Sequence, residues 1–474
     1  MKSGGLGEVS HSLPTALRDI GLDVRILVPA YPPLLAAFPN ASLVADIAPA
    51  GALPAARLLK AQADHGLPLL LLDCPALYRR AGSAYQTSEG IDFDDNALRF
   101  GLLCKTAALL GSRNSPLTWR PKLIHCNDWP SGLTPAYLHF EREKAPTAAT
   151  LMTVHNLAFQ GNFAPDTLAA LDLPPQAYGM DGVEFWGQLS FMKAGLQFAD
   201  SISTVSPRYA QEIQEPAFGC GFEGLLRGRQ NDLHGILNGI DEIVWNPATD
   251  TYLPQSYDLD SIERKAANKE ALQRCLGLTV DASVPLLGSV SRITYQKGLD
   301  LLPEIADDIA AMPAQLALLG SGEKALEAQL VQLAERHPGR FGIHIGFDEA
   351  LAHLIEAGAD IFLMPSRFEP CGLNQLYSLR YGTPPVVRST GGLADTVVDC
   401  TTTTLADGTA NGYCFNEVSG KAFLTAVQRA VSGWHDTALW RRLQAQGMQR
   451  DSGWKHTAAR YRQLYEEVIR KTRP

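Results

Sequence analysis

Arg292 and Lys297 stand five residues apart in the run Ser291-Arg292-Ile293-Thr294-Tyr295-Gln296-Lys297-Gly298. A guanidinium gives paired hydrogen bonds to phosphate oxygens and an ammonium adds a compact charge, so two such groups where a strand gives way to a helix suit one diphosphate. Away from that context the same spacing is a solvated pair on a surface helix. An acid of comparable interest is Glu369, in Pro365-Ser366-Arg367-Phe368-Glu369-Pro370-Cys371-Gly372-Leu373. Prolines stiffen that loop, which can hold a carboxylate still enough to accept hydroxyl hydrogen bonds or to face positive charge on a sugar ring. Its plainer role is that of an acid at a helix start. Cys371 has no histidine near it in sequence and reads as a small neutral residue rather than a nucleophile.

The first half supplies two more groups. Asp128 precedes Trp129-Pro130 and is either the N-cap of a helix or a ligand-binding acid. His155, in Thr153-Val154-His155-Asn156, is either a satisfied core histidine or a contact for a hydroxyl or carbonyl. Phe347 lies just past an apolar run and either stacks on a nucleobase or fills core. A glycine pair followed by leucine occurs twice, in Ser3-Gly4-Gly5-Leu6-Gly7-Glu8-Val9 and in Thr390-Gly391-Gly392-Leu393-Ala394-Asp395. Each is expected to open a helix whose bare N–H groups face an anion or sugar hydroxyls. Two such loops imply two similar halves sharing one ligand.

Short β-rich runs alternate with helical stretches, the pattern of α/β proteins with parallel sheets. Strands are expected at 23–29, 67–73, 122–126, 150–154 and 201–205, then at 285–290, 316–319, 342–345, 360–364 and 385–388. Asp128, His155, Arg292 and Glu369 each follow one of these runs, beyond the carboxyl ends of strands where open α/β sheets bind ligands. A cleft between two halves is the economical arrangement. The turn-forming run Asn238-Gly239-Ile240-Asp241 marks the boundary. Apolar residues at helical spacing from Trp454 to Ile469 predict an amphipathic final helix. A buried strand of about 5–6 residues is the normal prelude to such a glycine loop. Only Met1-Lys2-Ser3 precede the first copy, so the first strand of the N-terminal domain is expected to be missing.

At 474 residues, 46% hydrophobic and 19% charged, the chain has the composition of a two-domain globular protein. A net charge of -9 argues against nucleic acid or an anionic membrane as partner. The eight cysteines form no C-x-x-C pair and no histidines form H-E-x-x-H, so a zinc site has no support and a reducing cytoplasm is the simplest home.

These motifs resemble those of bacterial and plant glycogen and starch synthases. The likeness runs from Lys2-Ser3-Gly4-Gly5-Leu6 through His125-Cys126-Asn127-Asp128-Trp129, Thr153-Val154-His155-Asn156, Gly219-Cys220-Gly221-Phe222-Glu223-Gly224-Leu225-Leu226 and Asn238-Gly239-Ile240-Asp241 to the Arg292, Glu369 and Thr390 runs. The resemblance implies the GT-B fold: two Rossmann-like, doubly wound parallel-sheet domains, 1–239 and 240–452, with a helix at 453–474 returning toward the first. It implies transfer of glucose from ADP-glucose to the non-reducing 4-hydroxyl of an α-1,4-glucan with retention of configuration, without metal or cofactor. Lys2, Arg292 and Lys297 would hold the leaving diphosphate. Glu369 and the backbone of Cys371, Gly372 and Leu373 would grip the donor glucose, with His155 at its far side and Asp128 near the acceptor. Further substrate contacts are implied at Gly4, Gly5, Glu8, Asn156, Asn238, Phe347, Thr390 and Gly391. Family members commonly carry Asp where Glu8 stands and often tyrosine where Phe347 stands.

Three other readings stand beside this one: use of UDP-glucose, a noncatalytic glucan-binding protein on the same fold, and a nicotinamide oxidoreductase. The last rests on Gly320-Ser321-Gly322-Glu323-Lys324-Ala325, a G-x-G-x-x-A run after a strand. The acid that should bind the ribose about 20 residues on is absent from 336–347.

Overall fold

The computed structural model describes residues 4–63, 66–142 and 145–472. Lys2, and the expectation of a strand ahead of it, lie outside the described residues. The chain divides into two compact units. One holds Met1–Val205, Ala210–Ile236 and Trp454–Pro474, the other Ser206–Tyr209 and Leu237–Gly453.

In the first unit β1 (Ile26–Pro29), β2 (Ser42–Ile47), β3 (Ala56–Gln62) and β4 (Pro68–Asp73) form a sheet in the order β1-β4-β3-β2. β1 runs parallel to β4, while β2 and β3 are antiparallel insertions. The two insertions escape the sequence reading because β3 alternates buried and exposed residues with Arg57 and Lys60 inside it, unlike a fully buried parallel strand. A second sheet contains β5 (Leu123–Asn127) and β6 (Ala149–Val154). A small antiparallel sheet of β7 (Asn162–Phe163), β8 (Glu184–Phe185) and β9 (Gln188–Ser190) follows in sequence. β10 (Ser201–Thr204) and β11 (Leu233–Gly235) complete the second sheet in the parallel order β11-β10-β6-β5. Every residue of β6 is buried, and its threonine Thr153 is satisfied by Ser203 Oγ at 2.5 Å. Among the described residues β1 pairs with β4 alone and β5 with β6 alone.

The first glycine pair opens helix Gly4–Asp19, as its sequence predicts. That helix lies against the final helix, Trp454–Thr472, in one cluster of Val9, Leu13, Leu17, Leu151, Tyr461, Leu464, Tyr465 and Val468. Tyr465 also reaches β5, its hydroxyl 2.7 Å from His125 Nδ1. The returning helix is thus joined to the strand that carries Asp128 at its end.

The second unit is a six-stranded, all-parallel sheet of β12 (Leu286–Ile293), β13 (Gln315–Gly322), β14 (Phe341–Ile345), β15 (Ile361–Met364), β16 (Pro385–Arg388) and β17 (Tyr413–Phe415). Their order is β14-β13-β12-β15-β16-β17, the doubly wound Rossmann arrangement. Strand order reverses between β12 and β15, where such sheets open a crevice for ligand. Arg292 and Lys297 belong to the end of β12 and the turn after it, and Glu369 to the loop after β15.

Tyr461 is fully buried where the final helix meets the first. Tyr461→Ala is expected to lower stability by about 3–5 kcal/mol, the cost of emptying a large aromatic site, read as a shift of the urea midpoint.

Candidate active site

Lys297 closes a short turn, Tyr295–Lys297, and Gly298 after it takes the left-handed conformation at φ +67°. A side chain at 298 would place its Cβ 2.1 Å from the carbonyl oxygen of Pro365, so the glycine lets this turn lie directly on the loop after β15. There Lys297 Nζ stands 2.5 Å from Glu369 Oε2, with both side chains largely shielded from water. Ser366 Oγ donates to the same oxygen at 3.0 Å. An ammonium and a hydroxyl thus converge on one oxygen of Glu369, and the pair places a cation at the end of the sheet.

Other side chains hold the two loops together. Arg367 makes a bidentate pair with Asp300 at 2.5 and 2.7 Å and stacks its guanidinium 3.9 Å over Tyr295. Arg367 N donates to Gln296 O at 2.8 Å. From β16, Arg388 donates to the carbonyls of Ser366 and Arg367. Arg292 projects from the end of β12, its guanidinium 3.4 Å from Gln296 Oε1.

The second glycine pair opens helix Gly391–Thr396, with Thr390 as N-cap. Its bareness has a use that the sequence does not reveal. A Cβ at Gly391 (φ +46°) would stand 2.0 Å from Glu369 O, and one at Gly392 would overlap Cys371 O. Gly392 N donates to Glu369 O at 3.0 Å. The pair therefore seats the Glu369 loop by close backbone approach. Gly372, at φ +72°, turns the chain into helix Asn374–Arg380, which Leu373 precedes as N-cap. Gln375 Nε2 ties down the carbonyls of Cys371 and Gly372 at 3.0 Å each. The Cys371 thiol is pushed up to about 12 by burial and meets the backbone of Asn238, which agrees with a neutral filler and excludes a thiolate at neutral pH. Phe347 is 89% exposed just beyond β14, so the core-filling alternative is excluded.

The nicotinamide fingerprint fails on geometry. Cβ atoms at Gly320 and Gly322 would each stand 2.1 Å from a β12 carbonyl, and Gly322 N already donates to Glu327 Oε1 at 2.7 Å. A carboxylate occupies the helix start where a pyrophosphate would have to sit.

In the first unit Asp128 takes φ +53°, a conformation uncommon for any residue but glycine. It makes no cap bond to the turn that follows, so the N-cap alternative is corrected. Its carboxylate turns instead to the end of β6 and accepts from His155 N at 2.7 Å and Asn156 N at 3.4 Å. Burial pushes Asp128 up to about 7 against the pull of those two N–H groups. His155 Nε2 lies 2.9 Å from Asn127 Oδ1, and burial holds its imidazole down at about 4, so it is neutral at pH 7. The sequence joined Asn127 to a motif without a role; its position beside Asp128 was the available signal. Glu8 is buried within the opening helix and accepts from Ser12 Oγ at 2.9 Å. Gly4 and Gly5 form the first turn of that helix.

The starch synthase catalytic domain model matches residues 1–228, and the model for glycosyl transferases group 1 matches residues 278–445. A glycogen synthase of Nitrosospira multiformis is 54% identical over 100% of this chain and 95% of its own length, and one of Dechloromonas aromatica is 55% identical over 99% and 96%. The chain belongs to the glycogen synthase family. Among solved structures, the catalytic domain of starch synthase IV from Arabidopsis thaliana bound to ADP and acarbose superposes with a TM-score of 0.86 at 29% identity, covering 99% of this chain and 97% of that one. This member of the family is a glycosyltransferase on two Rossmann-like units. Ser366, Arg367, Gln375 and Arg388 are supports that sequence reasoning missed in it, because neither spacing nor residue type marks a side chain whose partners are brought near only by the fold.

Gly391→Ala is expected to cost more than about 1 kcal/mol through left-handed strain and collision with Glu369 O, read as a shift of the urea midpoint. A pH series checks Asp128. Its carboxyl titrates near 3.8 in the unfolded chain and near 7 in the fold. The folded state thus binds the extra proton between these values, and this contribution is complete below pH 4 and declines up to about pH 7. The melting temperature of Asp128→Asn relative to the parent is expected to climb from pH 4 to 7 and then level off. The opposite trend contributed by His155 is present in both proteins.

Proposed function

We propose that this glycosyltransferase moves glucose from ADP-glucose to the non-reducing 4-hydroxyl of an α-1,4-glucan with retention of configuration, in the cytoplasm. The observation that carries the reading is the Lys297–Glu369 pair at the strand-order reversal of the second unit. Arg292 and Lys297 take the diphosphate, and Glu369 takes donor-sugar hydroxyls beside the backbone of Cys371, Gly372 and Leu373. Lys2 adds to the diphosphate site, and Asn238, Thr390 and Gly391 line the same donor end. Phe347, exposed beside the sheet, stacks on the base. Glu8, Gly4, Gly5, Asp128, His155 and Asn156 serve the sugar side from the first unit, where a neutral His155 suits hydroxyls better than phosphates. ADP and acarbose, the two molecules bound to the Arabidopsis enzyme, fit a nucleotide donor and a glucan acceptor. Eight free cysteines suit a reducing compartment.

In the step itself the C1–O bond to the diphosphate breaks and its electron pair goes to the β-phosphate oxygen. The acceptor O4 bonds to C1 on the same face, and its proton passes to the departing phosphate oxygen. Charge develops on that diphosphate in the transition state, which is where Arg292 and Lys297 act. A double displacement needs a nucleophile against C1. Eight positions after Glu369, Tyr377 is stacked on Trp245 with ring centroids 3.8 Å apart, and it carries no carboxylate. Same-face attack on an oxocarbenium-like species, shielded by the leaving group, is the mechanism this favours.

Glycogen primer with labelled ADP-glucose or UDP-glucose tests the reading. Incorporation from ADP-glucose is expected to fall about 100–1,000-fold in Lys297→Ala and in Glu369→Ala, the scale of losing one transition-state contact. Incorporation equal to the parent in both variants overturns the site, and preference for UDP-glucose overturns the donor.

A further inference from the structure

The hairpin β8–β9 turns through Trp186 and Gly187, both at positive φ, +52° and +77°. Such a two-residue turn calls for Asn, Asp or Gly at its first position. A bulky aromatic residue there is a genuine outlier, and backbone of this kind costs of order 1 kcal/mol or more unless the surroundings repay it. Packing does not repay it, because the Trp186 side chain is 82% exposed. Its neighbour Phe185 does the packing, stacked on Phe222 with centroids 4.1 Å apart. The turn is nevertheless rigid: Gly187 N donates to Glu184 Oε1 at 2.7 Å, and Lys193 Nζ holds Glu184 O at 2.5 Å.

A path of contacts links this turn to Trp129, next to Asp128. Phe191 N, one residue beyond β9, donates to Gly161 O at 3.0 Å, and Met192 N to Gln160 O at 3.0 Å. Gly161 lies on the Trp129 ring so closely that a Cβ would meet it at 2.4 Å. Gln160 Nε2 donates to Cys220 O at 2.9 Å, and the next residue, Gly221 (φ +90°), would place a Cβ 3.2 Å from Trp186 Nε1. A second aromatic residue, Phe159, is exposed on the same loop. Rigid rings in water beside amide side chains match the alternating C–H faces and hydroxyl edges of a sugar chain.

We propose that Trp186 is a stacking platform for the acceptor α-glucan, holding glucose units remote from the reacting end. This rests on the reading of the chain as an α-glucan transferase. The platform takes the apolar face of a glucose ring against the indole. Binding energy gained there favours long acceptors over short ones and tethers the enzyme to its polymer.

Trp186→Ala and Trp186→Asn test it in the full chain. Both are expected to raise KM for glycogen about 3–10-fold, the worth of one aromatic stack, with a much smaller change in kcat and in KM for ADP-glucose. Trp186→Phe should restore most of the affinity. Asn suits the turn, so that variant is expected to melt at or above the parent's temperature while binding glycogen worse, which separates a binding role from a folding role. Electrophoresis through glycogen-containing gel reads binding without turnover: the parent is retarded and Trp186→Ala is retarded less. Parent protein that is retarded but transfers no glucose overturns the proposed activity and leaves the platform standing. Unchanged KM and unchanged retardation in both variants overturn the platform.

Discussion

Reversal of strand order between β12 and β15 is the constraint on which the second unit depends. It opens the sheet at one place and delivers Lys297 and Glu369 there from opposite sides of the reversal, 2.5 Å apart. Taking such a pair from water is expensive, and removing one partner of a buried pair typically costs ~3–5 kcal/mol because the other is stranded. Much of the surrounding structure keeps that geometry: the Arg367–Asp300 bidentate pair, Arg388 on two loop carbonyls and Gln375 on two more. The stability of this loop pair and the proposed donor site therefore involve the same atoms. A lysine that pairs with Glu369 in the free protein is already positioned, and charge-matched, for a phosphate.

The first unit applies another physical device, a carboxyl and an imidazole made unlike themselves by burial. Asp128 is pushed toward neutrality and His155 is held neutral, so two ionisable groups beside each other behave at pH 7 much as polar hydrogen-bonding groups. That suits recognition of hydroxyls.

The parallel strands were legible because each is a short, nearly continuous apolar run, Leu316–Leu319 and Pro385–Arg388 being clear cases, followed by the residues that do chemistry. β2 and β3 were not, since an antiparallel, half-exposed pair interrupts that rhythm with Arg57 and Lys60. The named site residues followed from strand ends and motif resemblance. What escaped was support through space: Arg388 serving Ser366, Asn127 serving His155, and a glycine pair whose value lies in touching the carbonyls of Glu369 and Cys371. The sequence also offered an N-cap role for Asp128, which only its positive φ and its turn toward His155 N remove. Trp186 carries no periodic signal at all, because its oddity is a backbone angle.

Gly391 and Gly392 admit no side chain against the loop they seat. That intolerance shapes how the enzyme can evolve. Drift in what the second unit accepts cannot pass through the loop one substitution at a time, whereas Phe347 stands in open water with few packing partners to offend. Substitution is cheap at that ring and closed off at the glycines, so related enzymes should diversify at the former while holding the latter fixed.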